Sequence, residues 1–153
     1  MNQISSEKIA LYDLCADFIE TKRQTIQHTI VEIQHSLTSE TKSSAGDKHE
    51  TGRAMLQLER EKAGQQLAEI QKLQEHLSKI DVKATSETIR LGSVVYTSEV
   101  NYFIAVSAGR FEVNNAVFYA ISPSTPIGQL LMSKTVGDCI KFRGVTSRIT
   151  QVL

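Results

Sequence analysis

The 153-residue chain has no tryptophan, two prolines, two cysteines and eight glycines, and it carries no net charge. Each scarcity excludes something. Cys15 and Cys139 stand one in each half, so they form neither a metal-ligand spacing nor a disulfide framework, which suits a reducing compartment. With 17 Lys/Arg against 17 Asp/Glu, general attraction to nucleic acid or to an anionic membrane is not expected. No apolar run approaches the ~20 residues that cross a bilayer. The segment Met1-Asn2-Gln3-Ile4-Ser5-Ser6-Glu7-Lys8 lacks a basic stretch followed by an apolar one, so no signal peptide is expected and the cytoplasm is the expected location. Nor does any nucleophile–base constellation, glycine-rich phosphate loop or zinc spacing occur.

The distribution of what remains divides the chain. Residues 1–87 carry 11 Lys/Arg and 14 Asp/Glu, and residues 88–153 carry 6 and 3. Both prolines lie late, at Pro123 and Pro126, and the first 80-odd residues hold only Gly46, Gly52 and Gly64. Glu, Lys, Gln, Leu and Ile dominate there, all favourable in helices. From Ile19 the apolar positions recur at Ile26, Ile30, Ile33 and Leu37. In a second segment Leu56, Ala63, Ile70 and Leu77 stand seven apart, with Leu67, Leu73 and Ile80 between. A repeat near 3.5 draws one apolar stripe down each helix, the pattern of a coiled-coil seam. The polar connection Ser39–Lys48 predicts a turn, and hence an antiparallel helical hairpin over 1–81. At ~1.5 Å per residue, roughly 30 residues of each helix make an arm on the order of 45 Å long. Met55 and Phe18 are expected to pack. His28 and His35 lie off the seam and are expected at the surface.

Residues 82–88, Val-Lys-Ala-Thr-Ser-Glu-Thr, predict a linker. Beyond them β-branched and aromatic residues cluster at 91–97, 102–106, 116–121 and 147–153, separated by turn residues such as Ala108-Gly109 and Asn114-Asn115. Pro126–Met132 predicts one short helix with proline in its first turn. The fold class expected is therefore α+β, a helical hairpin followed by a small β-rich domain over 89–153.

Between the two helical segments lies Gly46-Asp47-Lys48-His49-Glu50, which a rigid hairpin would carry at its end. Taken as residues alone, Asp47-x-x-Glu50 has the spacing of a capping box, with both carboxylates favoured at a helix start. The alternative to capping is that the two carboxylates are presented to a partner. His49 between them is expected as a solvated residue. Arg53 and Arg60, again seven apart, fit solvated helix charges. The stretch Ser122–Gly128 fits a turn leading into a helix as well as a docking surface.

Order and pattern together resemble the bacterial Gre transcript-cleavage factors, a helical hairpin followed by an FKBP-like β domain. The matching stretches are Ile89-Arg90-Leu91-Gly92-Ser93-Val94-Val95, Tyr102-Phe103-Ile104, Ser122 to Leu131 and Val136-Gly137-Asp138. In the hairpin, Gly46-Asp47-Lys48-His49-Glu50 is similar to the family's tip motif Gly-Asp-x-x-Glu-Asn. Thr51 stands where the family usually has Asn, Ala108-Gly109-Arg110-Phe111 replaces an acidic segment, and the Ser-Pro-Leu/Ile-Gly element is stretched to Ser122–Gly128.

The resemblance implies a transcription elongation factor. Its hairpin would enter the secondary channel of RNA polymerase and stimulate the polymerase's own cleavage of backtracked RNA. It implies that Asp47 and Glu50 serve that cleavage as ligands to, or positioners at, a Mg²⁺ shared with the polymerase active site. The free protein would bind none and would be no enzyme alone. Arg53 and Arg60 would meet the RNA 3′ end, and Ser122, Pro123, Pro126, Ile127 and Gly128 would contact the polymerase. A variant of the same shape would occupy the channel and inhibit or retune transcription. Two other classes are a prolyl isomerase, against which the lack of tryptophan weighs, and a structural coiled-coil adaptor.

Overall fold

The computed structural model describes residues 5–42 and 46–153, and no side chain from 40 to 49. Two long helices come first, α1 (Ser6–Lys42) and α2 (Gly46–Ser78). Six strands and a short helix follow: β1 (Val94–Thr97), β2 (Asn101–Ile104), β3 (Gly109–Val113), β4 (Ala116–Ile121), α3 (Pro126–Leu131), β5 (Cys139–Phe142) and β6 (Val145–Val152). The α+β architecture of helical hairpin and β-rich domain is the one expected from the sequence.

Contacts divide the chain into two compact units. One is Ile19–Gln74; the other joins the residues up to Phe18 with Glu75–Leu153. In the first unit α1 and α2 run antiparallel. Thr21, Lys22, Thr25 and Ile26 face Gln66, Glu69, Ile70 and Leu73, and further along Arg53 donates to the Leu37 carbonyl at 3.5 Å. Numbering rises on one helix as it falls on the other. The seam is visible in burial, with Ile19, Ile33, Ala63 and Ile70 buried and Ile26, Ile30, Leu37, Leu56, Leu67 and Leu73 half-buried. Met55 is a correction: it is 59% exposed. One residue is a 100° step around a helix, so a neighbour of Leu56 turns away from the stripe that Leu56 joins. The turn expected over Ser39–Lys48 is also narrower than its composition implied. α1 continues to Lys42 and α2 starts at Gly46, so the acidic motif belongs to the first turns of α2.

In the second unit the sheet order is β3-β4-β2-β1-β6-β5. β2 and β4 pair in parallel, Asn101 opposite Phe118 through Ile104 opposite Ile121, and all other neighbours are antiparallel. Two strands fall outside the apolar clusters of the sequence, β3 and β5. Both are edge strands, and an edge is half solvated, so Gly109-Arg-Phe-Glu-Val and Cys139-Ile-Lys-Phe mix charge with apolar residues. Each edge joins its neighbour through a two-residue turn with positive φ at both positions: 51° and 66° at Asn114-Asn115, 53° and 81° at Arg143-Gly144. That backbone matches strand twist and suits Asn and Gly.

One sheet face carries Val95, Ile104 and Ile149, packed with Ile89, Ile140 and the α3 residues Ile127 and Leu131. Val94 and Phe103, cross-strand partners, project from the other face. They are fully buried with Phe118, in the same unit as Leu11 and Cys15, which are also fully buried. The first turns of α1 are fastened by hydrogen bonds. Lys8 Nζ donates to the Ala84 carbonyl at 2.7 Å and to Leu153 O at 3.4 Å, and Asn114 Nδ2 donates to Glu7 Oε1 at 3.0 Å. The Asn114 bond helps hold the Glu7 carboxyl below its ordinary range, behind the larger effect of a backbone N–H. Residues 82–88 are tied down too. Asp81 caps a turn by accepting from Lys83 N at 2.9 Å, and Thr88 bridges to Thr135.

Candidate functional site

The carboxylate pair of the sequence lies at the start of α2. Gly46, Asp47 and Glu50 all fall in its opening turns, where free N–H groups and the helix dipole favour negative charge. The Asp47 and His49 side chains lie outside the described residues. Glu50 is described: it is exposed and makes no hydrogen bond or ion pair among the described residues. Its oxygens therefore face solvent. Thr51, which follows it, is exposed and engaged in an interaction of its own.

Arg53 and Arg60 are half-buried. Arg53 reaches across the hairpin to Leu37 O, a bond that ties α2 to α1 just below the reversal. Arg60 lies along its own helix, with one guanidinium nitrogen 3.4 Å from where a Cβ on Gly64 would stand. His28 and His35 are exposed, and His28 Nε2 approaches Glu32 Oε1 at 3.1 Å. Among the described residues no group of three or more His, Cys, Asp or Glu converges as a metal site would require.

In the β unit, Ser122–Gly128 builds the entry to α3. Thr125 is its N-cap: its hydroxyl donates to the Ser122 carbonyl at 2.7 Å and accepts from Gly128 N at 3.1 Å. Pro126 takes the first helical turn, where a missing N–H is harmless. Ile127 and Gly128 are buried, Ser122 and Pro123 half-buried, and Pro126 exposed. The five residues thus form one folded element, of which Ser122, Pro123 and Pro126 reach the surface.

A feature that sequence reading missed is a shallow groove beside this element, lined by Tyr102, Tyr119 and Phe142 around Ile121, Ile127 and Ile140. The aromatics come from three strands, and only the parallel register that sets Tyr102 beside Tyr119 brings two of them together. Arg143 stacks over the Phe142 ring at 5.0 Å.

No helix among the described residues is long and apolar enough to cross a membrane. No protein-family profile matches the chain, and no curated protein does. Among solved structures, that described as "Structure of the transcription factor Gfh1" is similar at 18% identity, covering 92% of this chain and 92% of that one, with a TM-score of 0.34. An overlap that low carries no argument about function, so the likeness stands as an observation beside the geometry.

Proposed function

We propose that the chain is a Gre-like transcription elongation factor that acts through the secondary channel of RNA polymerase and stimulates the polymerase's cleavage of backtracked RNA. The observation that carries this reading is Glu50, solvent-facing and without a partner among the described residues, one turn from Asp47 at the reversal of an antiparallel hairpin. The sequence resemblance supplies the partner, and the hairpin supplies the means of presenting the pair.

The donor set fits magnesium. Carboxylate oxygens on one turn, with waters retained, suit a hard cation that dehydrates reluctantly. Two carboxylates are too few to hold the ion unaided, so the remaining ligands belong to the polymerase. The Mg²⁺ shared with the polymerase active site would, when bound, supply charge stabilisation for an in-line displacement and a more acidic water. Asp47 and Glu50 would contribute oxygens to that ion or orient its water. Arg53, fixed across the hairpin, and Arg60 stand on the same helix toward the RNA 3′ end. Ser122, Pro123 and Pro126 offer the exposed part of a polymerase contact, and Ile127 and Gly128 hold that loop in shape from below. The chain alone is no enzyme in this reading.

A stalled elongation complex with 5′-labelled RNA and Mg²⁺ tests it. Wild type shortens the transcript; Asp47→Ala and Glu50→Ala each slow shortening by on the order of a hundredfold, the usual effect of losing a positioned charge-stabilising group, while binding is retained. Thr51, in place of the family's Asn, favours a second reading in which the same hairpin inhibits or retunes the polymerase. Wild type that binds and leaves the transcript intact selects it. Shortening that survives both substitutions rejects the role of the pair.

A further inference from the structure

A cleft of about 320 Å³ opens in the β unit between the first turn of α1, the end of α2 and the segment leading into β1. Lys8, Lys79, Arg90, Ser86 and Ser93 line it, with Asp81 at its side. We propose that this cleft binds a phosphate-class oxyanion of two or more negative charges, with inorganic pyrophosphate as its simplest form.

The charge balance is the first argument. Three cations face the cleft against one carboxylate, and among the described residues none of the three is ion-paired with an Asp or Glu side chain. Asp81 is engaged elsewhere, accepting from Lys83 N. Burial is the second. Lys8 is only 3% exposed, and an ammonium withdrawn from water beside another cation is costly unless an anion compensates it. Burial first, and then Arg90, push the Lys8 ammonium below its ordinary pKa, with Asp81 opposing. Its ammonium donates to the main-chain oxygens of Ala84 and Leu153, which hold its charge at the wall of the cleft.

The third argument is donor chemistry. Ser93 is buried and its hydroxyl oxygen accepts from Arg90 N at 3.0 Å, which leaves its O–H to donate. The Arg90 guanidinium makes no side-chain hydrogen bond among the described residues, and a planar fork of donors matches phosphate oxygens. No aromatic ring lines the cleft, so it offers nothing on which a nucleobase would stack. What it recognises is the anion.

Calorimetric titration of the full chain with pyrophosphate, without polymerase, tests the cleft separately from the cleavage reading. One site is expected, with the amides of Gly92 and Ser93 shifting in a heteronuclear NMR spectrum at saturation. Lys8 is buried and bridging, so the variants fall on the exposed pair. Lys79→Gln with Arg90→Gln weakens binding by about tenfold or more, as the loss of charge-assisted bonds requires, while Lys141→Gln with Arg143→Gln leaves it unchanged. A nucleoside diphosphate serves as a second arm. Affinity equal to or below that for pyrophosphate supports recognition of the anion alone, and tighter binding of the nucleotide overturns it. Absence of heat and of shifts at millimolar pyrophosphate, or equal weakening in both double variants, overturns it.

Discussion

Cys15 gives the fold a pH dependence through its burial. It is fully buried, whereas Cys139 is exposed. Burial pushes the Cys15 thiol up from 9.0 to about 12, so the folded chain holds a proton that the unfolded chain releases. The stability this contributes is complete below pH 9.0 and is lost as pH rises toward about 12. The slope approaches about 1.4 kcal/mol per pH unit at most. Tyr96 and Tyr102, raised chiefly by burial, act with the same sign above their ordinary value of 10.0. Lys8 acts with the opposite sign, because its folded pKa is lowered and the unfolded chain holds the proton longer. Cys15→Ala should therefore cost about 1 kcal/mol at neutral pH through the small cavity it leaves. It should also flatten the fall in urea midpoint between pH 9 and 12, leaving the part due to Tyr96 and Tyr102 and the opposing part due to Lys8. A fall as steep as that of wild type would assign the alkaline limb elsewhere.

At the scale of elements, α3 shows what local sequence reveals and what it withholds. Proline before a short apolar run was enough to place the helix, because its fixed φ suits the first turn. Seven-residue spacing likewise placed Ala63 and Ile70 on a buried stripe, and turn chemistry placed the Asn114-Asn115 reversal. These are one-dimensional signals. The parallel pairing of β2 with β4 and the edge positions of β3 and β5 depend on which strands meet, and no window of sequence reports that. The candidate site divides in the same way. The acidic motif is legible as residue types and, through its capping-box spacing, as a helix start, whereas composition alone favours a turn at the place where α2 begins. Gly128 was legible only as part of a motif. Its reason is spatial: a Cβ there would stand 2.3 Å from the Ser122 carbonyl oxygen and 2.9 Å from Thr125 Oγ1. Main chain cannot yield as a flexible side chain does, so Gly128→Ala should destabilise the β unit by about 2–4 kcal/mol. Thr125→Ala, which removes only the cap, should cost about 1 kcal/mol. Urea unfolding followed by far-UV dichroism measures both; equal effects would mean the loop relaxes and the close approach is not what requires glycine.

For the molecule as a whole, the division by contacts differs in kind from a division by composition. Composition changes near residue 81, where helix formers give way to strand formers. Burial makes a different partition: Leu11, Cys15 and Leu77 are buried in the unit that holds the sheet. Ile80 approaches Gly92 so closely that a Cβ there would lie 3.0 Å from Ile80 Cγ2. Each such leucine or isoleucine contributes about 1.5–3 kcal/mol when withdrawn from water, and a small domain has only about 5–15 kcal/mol in total. A chain cut to residues 82–153 loses all four at once, along with the Lys8 bonds to Ala84 and Leu153, and should not fold cooperatively. A chain in which Phe18 is joined to Glu75 by a short Gly-Ser linker, with Ile19–Gln74 excised, keeps them. It should unfold in one urea transition and show a dispersed amide spectrum, because Leu11, Cys15, Leu77 and Ile80 stay in the unit that holds the sheet. Cooperative folding of 82–153 alone would show instead that the sheet needs no helical cover, and that the ends of α1 and α2 belong to the hairpin.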